Sequence, residues 1–142
     1  MRKDPIALEL PLPPAVNARS SYNAGRRHQQ KNAYRRSCWM AAIEQAKPVH
    51  EPPARVRIEA RFYLRNLRDP DKLKGSLDWV LDALKREQSG RLHWRQGVYL
   101  RCGFFVDDDP RHVEIAEPLQ QIDRRRPRLE VVITRIEESD HV

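Results

Sequence analysis

Glycine, cysteine and long apolar runs are all scarce in this chain, and each shortage removes a class of function. Its five glycines form no GxGxxG, Walker-A or GxSxG pattern, so neither a nucleotide-cradling loop nor a nucleophile elbow is expected. The two cysteines, Cys38 and Cys102, are far apart and show no CxxC spacing. A zinc ribbon and a disulfide scaffold are therefore both unsupported, and reduced thiols of an intracellular protein are expected. The five histidines show no HExxH spacing. The His112-x-Glu114 pair lacks the PCxxC that a zinc deaminase would carry. The uncharged stretch from Leu10 to Ala18 is broken by Pro11, Pro13 and Pro14, which excludes a spanning helix. Asp4 and Glu9 interrupt the start, so no secretory leader is expected.

Basic charge and proline are plentiful. Lys and Arg number 27 against 20 Asp and Glu, a net charge of +7 with a pI near 9.8. Such a field attracts polyanions, and nucleic acid is the first partner it suggests. The same balance also arises from Arg and Lys that are merely solvated. At 142 residues the chain fits one domain, residues 1–142, and a domain of this size buries about 68–70% of its unfolded surface.

Hydrophobic alternation marks three strands: Ile6, Leu8, Leu10; Val56, Ile58, Ala60, Phe62, Leu64; and Leu129, Val131, Ile133. A shorter one fits Val113 and Ile115. A helix is expected from Gln29 to Lys47, ending before Pro48. A second carries Leu73, Leu77, Val80, Leu81 and Leu84 as one stripe, with Asp69 placed to cap it and Pro70 at its first position. Loops are read over Pro11–His28, Pro48–Pro53 and Glu117–Arg128. Leu92, Trp94, Val98 and Leu100 suit a small hairpin. The expected fold is α+β: a single domain in β-α-β-α-β-β order, with a mixed sheet packed against two helices.

Acid is concentrated in two places on this basic chain. At 100° per residue, Asp71, Lys74, Asp78, Asp82 and Lys85 share a sector of about 80° on the second helix, with Asp69 at its entrance. Asp107, Asp108 and Asp109 form a run before Pro110. Converging carboxylates hold hard cations such as Mg²⁺, which phosphodiesterases use to activate water and to neutralise charge on the phosphate. The plainer roles are equally open: Asp69 as a cap, Asp71 as a partner of the helix dipole, the Asp run as a turn.

Four segments, taken in order, resemble the RusA family of Holliday-junction resolvases over most of the chain. Leu10-Pro11-Leu12-Pro13-Pro14-Ala15-Val16-Asn17 is similar to the family's opening strand and PxPPxxN. Asn32-Ala33-Tyr34-Arg35-Arg36 is similar to the start of its first long helix. Arg68-Asp69-Pro70-Asp71-Lys72-Leu73 with Leu81-Asp82-Ala83-Leu84 resembles RDxDNL…LDAL. Val106-Asp107-Asp108-Asp109-Pro110-Arg111-His112-Val113 resembles xDDxxxxV. The resemblance implies a homodimer that binds branched DNA, nicks four-way junctions in pairs and depends on Mg²⁺, with Mn²⁺ as the alternative ion. By position it implies Asp69, Asp71 and Asp108 as catalytic metal ligands, with Asp107 and Asp82 as neighbours. Lys72 stands where many members have Asn, and Asp78 where they carry a helix lysine. Lys74, one turn earlier, is the nearest substitute.

DNA contacts are expected from Asn17, Arg19, Arg26, Arg27, Lys31, Arg35, Arg36, Arg68 and Lys72. Such a protein would act in the cytoplasm, at the nucleoid. Two other readings compete. One keeps the fold and the dimer but lacks catalysis, because of the change at Asp78. The other takes Asp78-x-x-x-Asp82 as the metal site of a nucleotide pyrophosphohydrolase.

Overall fold

A computed structural model describes residues 5–14, 24–46, 52–85 and 103–136. Asn17, Arg19, Cys102 and the expected hairpin over 92–100 lie outside the described residues. The elements are β1 (Ile6–Leu10), α1 (Ala24–Gln45), β2 (Val56–Leu64), α2 (Pro70–Leu84), β3 (Val113–Ile115), β4 (Leu119–Ile122) and β5 (Arg128–Arg135). The class is α+β, with two helices and a mixed five-stranded sheet among the described residues. No helix among the described residues is long and apolar enough to cross a membrane.

Strand β2 organises the sheet. It pairs antiparallel with β5, Ile58 opposite Ile133, and β5 pairs antiparallel with β1, Val131 opposite Leu8. On its other side β2 pairs in parallel with two short strands in succession. Val56 to Ile58 meet β3, and Arg61 to Leu64 meet β4. These two strands form one edge of the sheet.

Strict alternation decides which face is covered. Val56, Ile58, Ala60, Phe62 and Leu64 are buried, while Arg57, Glu59 and Arg61 between them are exposed. The buried set packs with Leu129, Val131, Ile133, Leu8 and Leu10, and with Leu73, Leu77, Val80, Leu81 and Leu84 from α2. Tyr34, Cys38 and Ala42 add α1 to the same core. Burying a side chain such as Phe62 or Leu84 contributes roughly 1.5–3 kcal/mol relative to exposing it. Across the sheet, the Arg128 guanidinium lies 3.8 Å from the Tyr63 ring centroid, which leaves that face polar.

Two sequence expectations change. The segment Glu117–Arg128, read as a loop, contains β4, so the described order is β-α-β-α-β-β-β. Leu119 and Ile122 are both exposed, so no inside–outside alternation signals this edge strand. Helix α1 starts at Ala24, before the expected Gln29. Its first turns carry Arg26, Arg27 and His28 on exposed positions, where no apolar stripe can reveal a helix.

Cys38 lies fully buried under this layer. Burial pushes its thiol up to about 12, with the Tyr34 hydrogen bond acting weakly the other way. The thiolate is the reactive form, so Cys38 should resist alkylation near pH 8 in the folded protein. A Cys102→Ser variant makes this measurable by mass spectrometry with iodoacetamide. No label is expected before denaturant is added, and rapid native labelling would contradict the burial.

Candidate active site

Helix α2 carries the expected acids at its two ends, and each end is built differently. At its start, Pro70 occupies the first turn and Asp69 the cap position, yet the Asp69 carboxylate makes no capping bond. Its backbone carbonyl accepts instead, from Lys72 N at 3.0 Å and Leu73 N at 3.1 Å. Both Asp69 and Asp71 are exposed, as is Lys72 beside them. The preceding residue is held from the sheet edge: Gln120 Oε1 accepts from Arg68 N, and Gln120 Nε2 donates to Arg68 O, both at 2.9 Å. The Arg68 Nη1 is buried and has no hydrogen-bond partner among the described residues.

The far end of α2 forms a compact ionic cluster. Phe104 N donates to Leu84 O at 2.9 Å and Gly103 N to Lys85 O at 3.2 Å, which fastens the returning chain to the end of the helix. Gly103 adopts a φ of 77°, a left-handed conformation that glycine takes without a side-chain clash. Phe104 and Phe105 then sink into the core and carry Asp107 and Asp108 to Lys85. The Lys85 ammonium stands 3.6 Å from Asp108 Oδ1, 3.9 Å from Asp107 Oδ1 and 3.6 Å from Asp82 Oδ1. Asp82 also accepts from Arg35 Nη2 at 2.8 Å, a pair that is almost wholly buried.

Within the acidic run the three aspartates divide their work. Asp109 makes the turn: its carboxylate accepts from Arg111 N and His112 N and meets His112 Nδ1 at 2.8 Å. Asp107 accepts from Asp108 N at 2.7 Å. The Asp108 carboxyl is raised above the ordinary range, first by burial and then by its bond with Asp107, against the pull of Lys85. Its proton is held more tightly in the folded chain than in the unfolded one. Its ionisation therefore opposes folding as pH rises through that raised pKa.

The two ends do not meet within one chain. Asp71 and Lys85 are separated by about 21 Å along the helix at 1.5 Å per residue. Consistently, no three His, Cys, Asp or Glu side chains among the described residues are placed to hold a metal ion. The expected set of Asp69, Asp71, Asp107 and Asp108 is thus two separate acidic groups. No protein-family model matches the chain, and no curated protein matches it.

The basic residues also divide. Arg26, Arg27 and Arg36 are exposed along α1 and Lys31 is half-buried. Arg27, His28 and Lys31 line an open cavity with Trp79, whose ring is 6.4 Å from that of Tyr34. Arg35, expected on a DNA-facing surface, is 4% exposed and serves Asp82 instead. Lys85 and Trp79 were not among the expected site residues. Lys85 shares the acidic sector of the second helix, but its pairing with Asp107 and Asp108 is not legible because they lie beyond a long intervening segment.

Lys74 is exposed, and its ammonium stands 3.5 Å from Glu117 Oε1 rather than bridging to Asp78. An exposed pair of this kind is worth about 0–1 kcal/mol. If Lys74 serves phosphate, Lys74→Met should slow junction cleavage at least about tenfold, about 1.4 kcal/mol in barrier, with little change in melting temperature. An unchanged cleavage rate would leave Lys74 as the surface partner of Glu117.

Proposed function

We propose that this chain is a Mg²⁺-dependent, structure-selective DNA endonuclease that resolves four-way junctions by paired nicks and works as a homodimer at the nucleoid. The observation that carries this reading is the Arg68-Asp69-Pro70-Asp71 segment. Its two carboxylates stand exposed at a helix start beside Arg68, Lys72 and Lys74, and that of Asp69 makes no capping bond. Exposed acids that pair with no side chain among the described residues, in a basic setting, suit a site that faces phosphate.

Carboxylate oxygens are the donors Mg²⁺ takes, and one or two suffice when substrate phosphates complete the shell. Asp69 and Asp71 fit that requirement by type, and Mn²⁺ accepts the same donors. Asp107 and Asp108 cannot join them in the same chain, so no ion is shared by all four there. A bound ion would activate water and neutralise charge on the phosphate. The chain's own cations do the positioning. Arg26, Arg27, Lys31 and Arg36 along α1, with Arg68 and Lys72 beside the acids, hold the DNA backbone, and Lys74 reaches toward a phosphate oxygen.

A junction-binding dimer without catalysis is the second reading, favoured by the separation of the two acidic groups. The pyrophosphohydrolase reading draws less support from its two acids. Asp78 is exposed, whereas Asp82 is held by Arg35 and Lys85.

Binding of a labelled four-way junction, set against linear duplex of equal length across a salt series, tests the substrate class. The junction should bind more tightly, and log K should fall steeply with log salt as phosphate counterions are released. Equal affinity for both DNAs, or a nearly flat salt dependence, would remove the junction-binding claim.

A further inference from the structure

The cavity between the first turns of α1 and the middle of α2 has a lining that packing alone does not require. It is open, holds about 330 Å³ and is lined by Arg27, His28, Lys31 and Trp79. Small-molecule pockets run from about 300 to 1,000 Å³. Arg27 and Lys31 are four residues apart on α1, so one helical turn brings both cations to the same side. Among the described residues, Arg27, His28 and Lys31 pair with no side chain. These cations also stand where a helix tolerates positive charge least. The first turn of α1 carries no acid, although the positive end of the helix dipole favours Asp or Glu. An anion brought from outside relieves that arrangement.

The remaining wall is aromatic. Trp79 is 7% exposed, and its ring is tilted at 45° to that of Tyr34, with the centroids 6.4 Å apart. Both residues belong to the core, so the indole plane is already fixed and a flat ring can meet it at little cost in side-chain entropy. A simple anion has no use for the indole, and an apolar ligand has none for the cations. A nucleotide uses both.

We infer that this cavity receives one unstacked nucleotide of a DNA strand, its base against the Trp79 indole and its phosphate on Arg27 and Lys31. This rests on the reading of DNA as the partner, though not on cleavage. Single-strand-binding sites combine the same two elements: cations track the backbone while bases stack on aromatic rings, with little regard to sequence. Position agrees. Trp79 lies about 12 Å along α2 from Asp71 at 1.5 Å per residue, the rise of about three or four nucleotides at about 3.4 Å each. A strand whose phosphate meets Asp69 and Asp71 can therefore place a nearby nucleotide at Trp79. Unstacking costs least where bases are already unpaired, so the cavity favours single-stranded or branched DNA over linear duplex.

Fluorescence anisotropy with labelled oligonucleotides tests this on the full-length protein without any cutting. At one salt concentration, a thymidine oligonucleotide should bind at least about tenfold more tightly than an abasic strand of the same length and charge. Trp79→Leu should bring the thymidine strand down to the abasic level while abasic binding holds. Trp79→Phe, which keeps a ring, should recover most of the difference. Lys31→Ala should weaken both strands alike. Equal wild-type affinity for the two strands would overturn the base site, and this comparison needs no variant to fold. A folded Trp79→Leu chain that keeps the full preference for thymidine would overturn it as well. A thymidine preference beside a junction that is never cut would defeat the nuclease reading and leave the base site standing. Junction cleavage beside equal affinity for the two strands would do the reverse.

Discussion

Replacing Arg35 with Ala is expected to destabilise the fold by about 3–5 kcal/mol, because it strips Asp82 of its nearest counter-charge inside the protein. The two side chains are 5% and 11% exposed and meet at 2.8 Å. Arg35 Nη1 also donates to Asn32 Oδ1 at 3.0 Å, so the guanidinium ties α1 to α2 and to itself. Asp82→Ala should cost a similar amount, leaving Arg35 buried and without its acid. Replacing both by apolar residues of similar volume should recover most of the loss, since removing a whole buried pair is often neutral. Thermal and urea denaturation of the three variants measures this. A single variant within about 0.5 kcal/mol of wild type, the range of ordinary surface changes, would show that the pair does not hold the helices together.

Asp71→Asn and Asp108→Asn should each cut junction cleavage at least about a hundredfold, about 2.7 kcal/mol in barrier. Junction affinity should stay unchanged or rise. On the proposed reading, the amide removes an ionised donor and a negative charge from the acids that would meet phosphate. Gel-shift and cleavage assays on the same preparations separate the two effects. The Asp71 site is exposed, so its variant should keep the wild-type melting temperature. Asp108 is tied to Lys85 and Asp107, so its variant should show a small stability change as well. Full cleavage by both variants would remove these residues from the site.

The sheet's central strands were legible because alternation survives wherever one face is buried. Val56 to Leu64 and Leu129 to Ile133 show it plainly. Helix α2 was legible through its leucine stripe and Pro70. Strand β4 was not, because an exposed edge strand needs no alternation, and Leu119-Gln120-Gln121-Ile122 has none. The carboxylates could be found by residue type and order, but their grouping could not. One helical face looks uniform when plotted at 100° per residue, yet it runs from solvent at Asp71 to a buried ion pair at Asp82. Only the packing of α1 against α2 distinguishes those ends. The same packing moved Arg35 from an expected DNA contact to an interior partner, a change that charge counting has no means to register.

Incubating the purified protein with an end-labelled four-way junction, with and without Mg²⁺, tests the central claim most directly. With the ion, the account predicts paired nicks in two strands of like polarity, giving linear duplex products, and with chelator it predicts bound but uncut junction. An intact junction under both conditions, at protein concentrations that saturate binding, would contradict it.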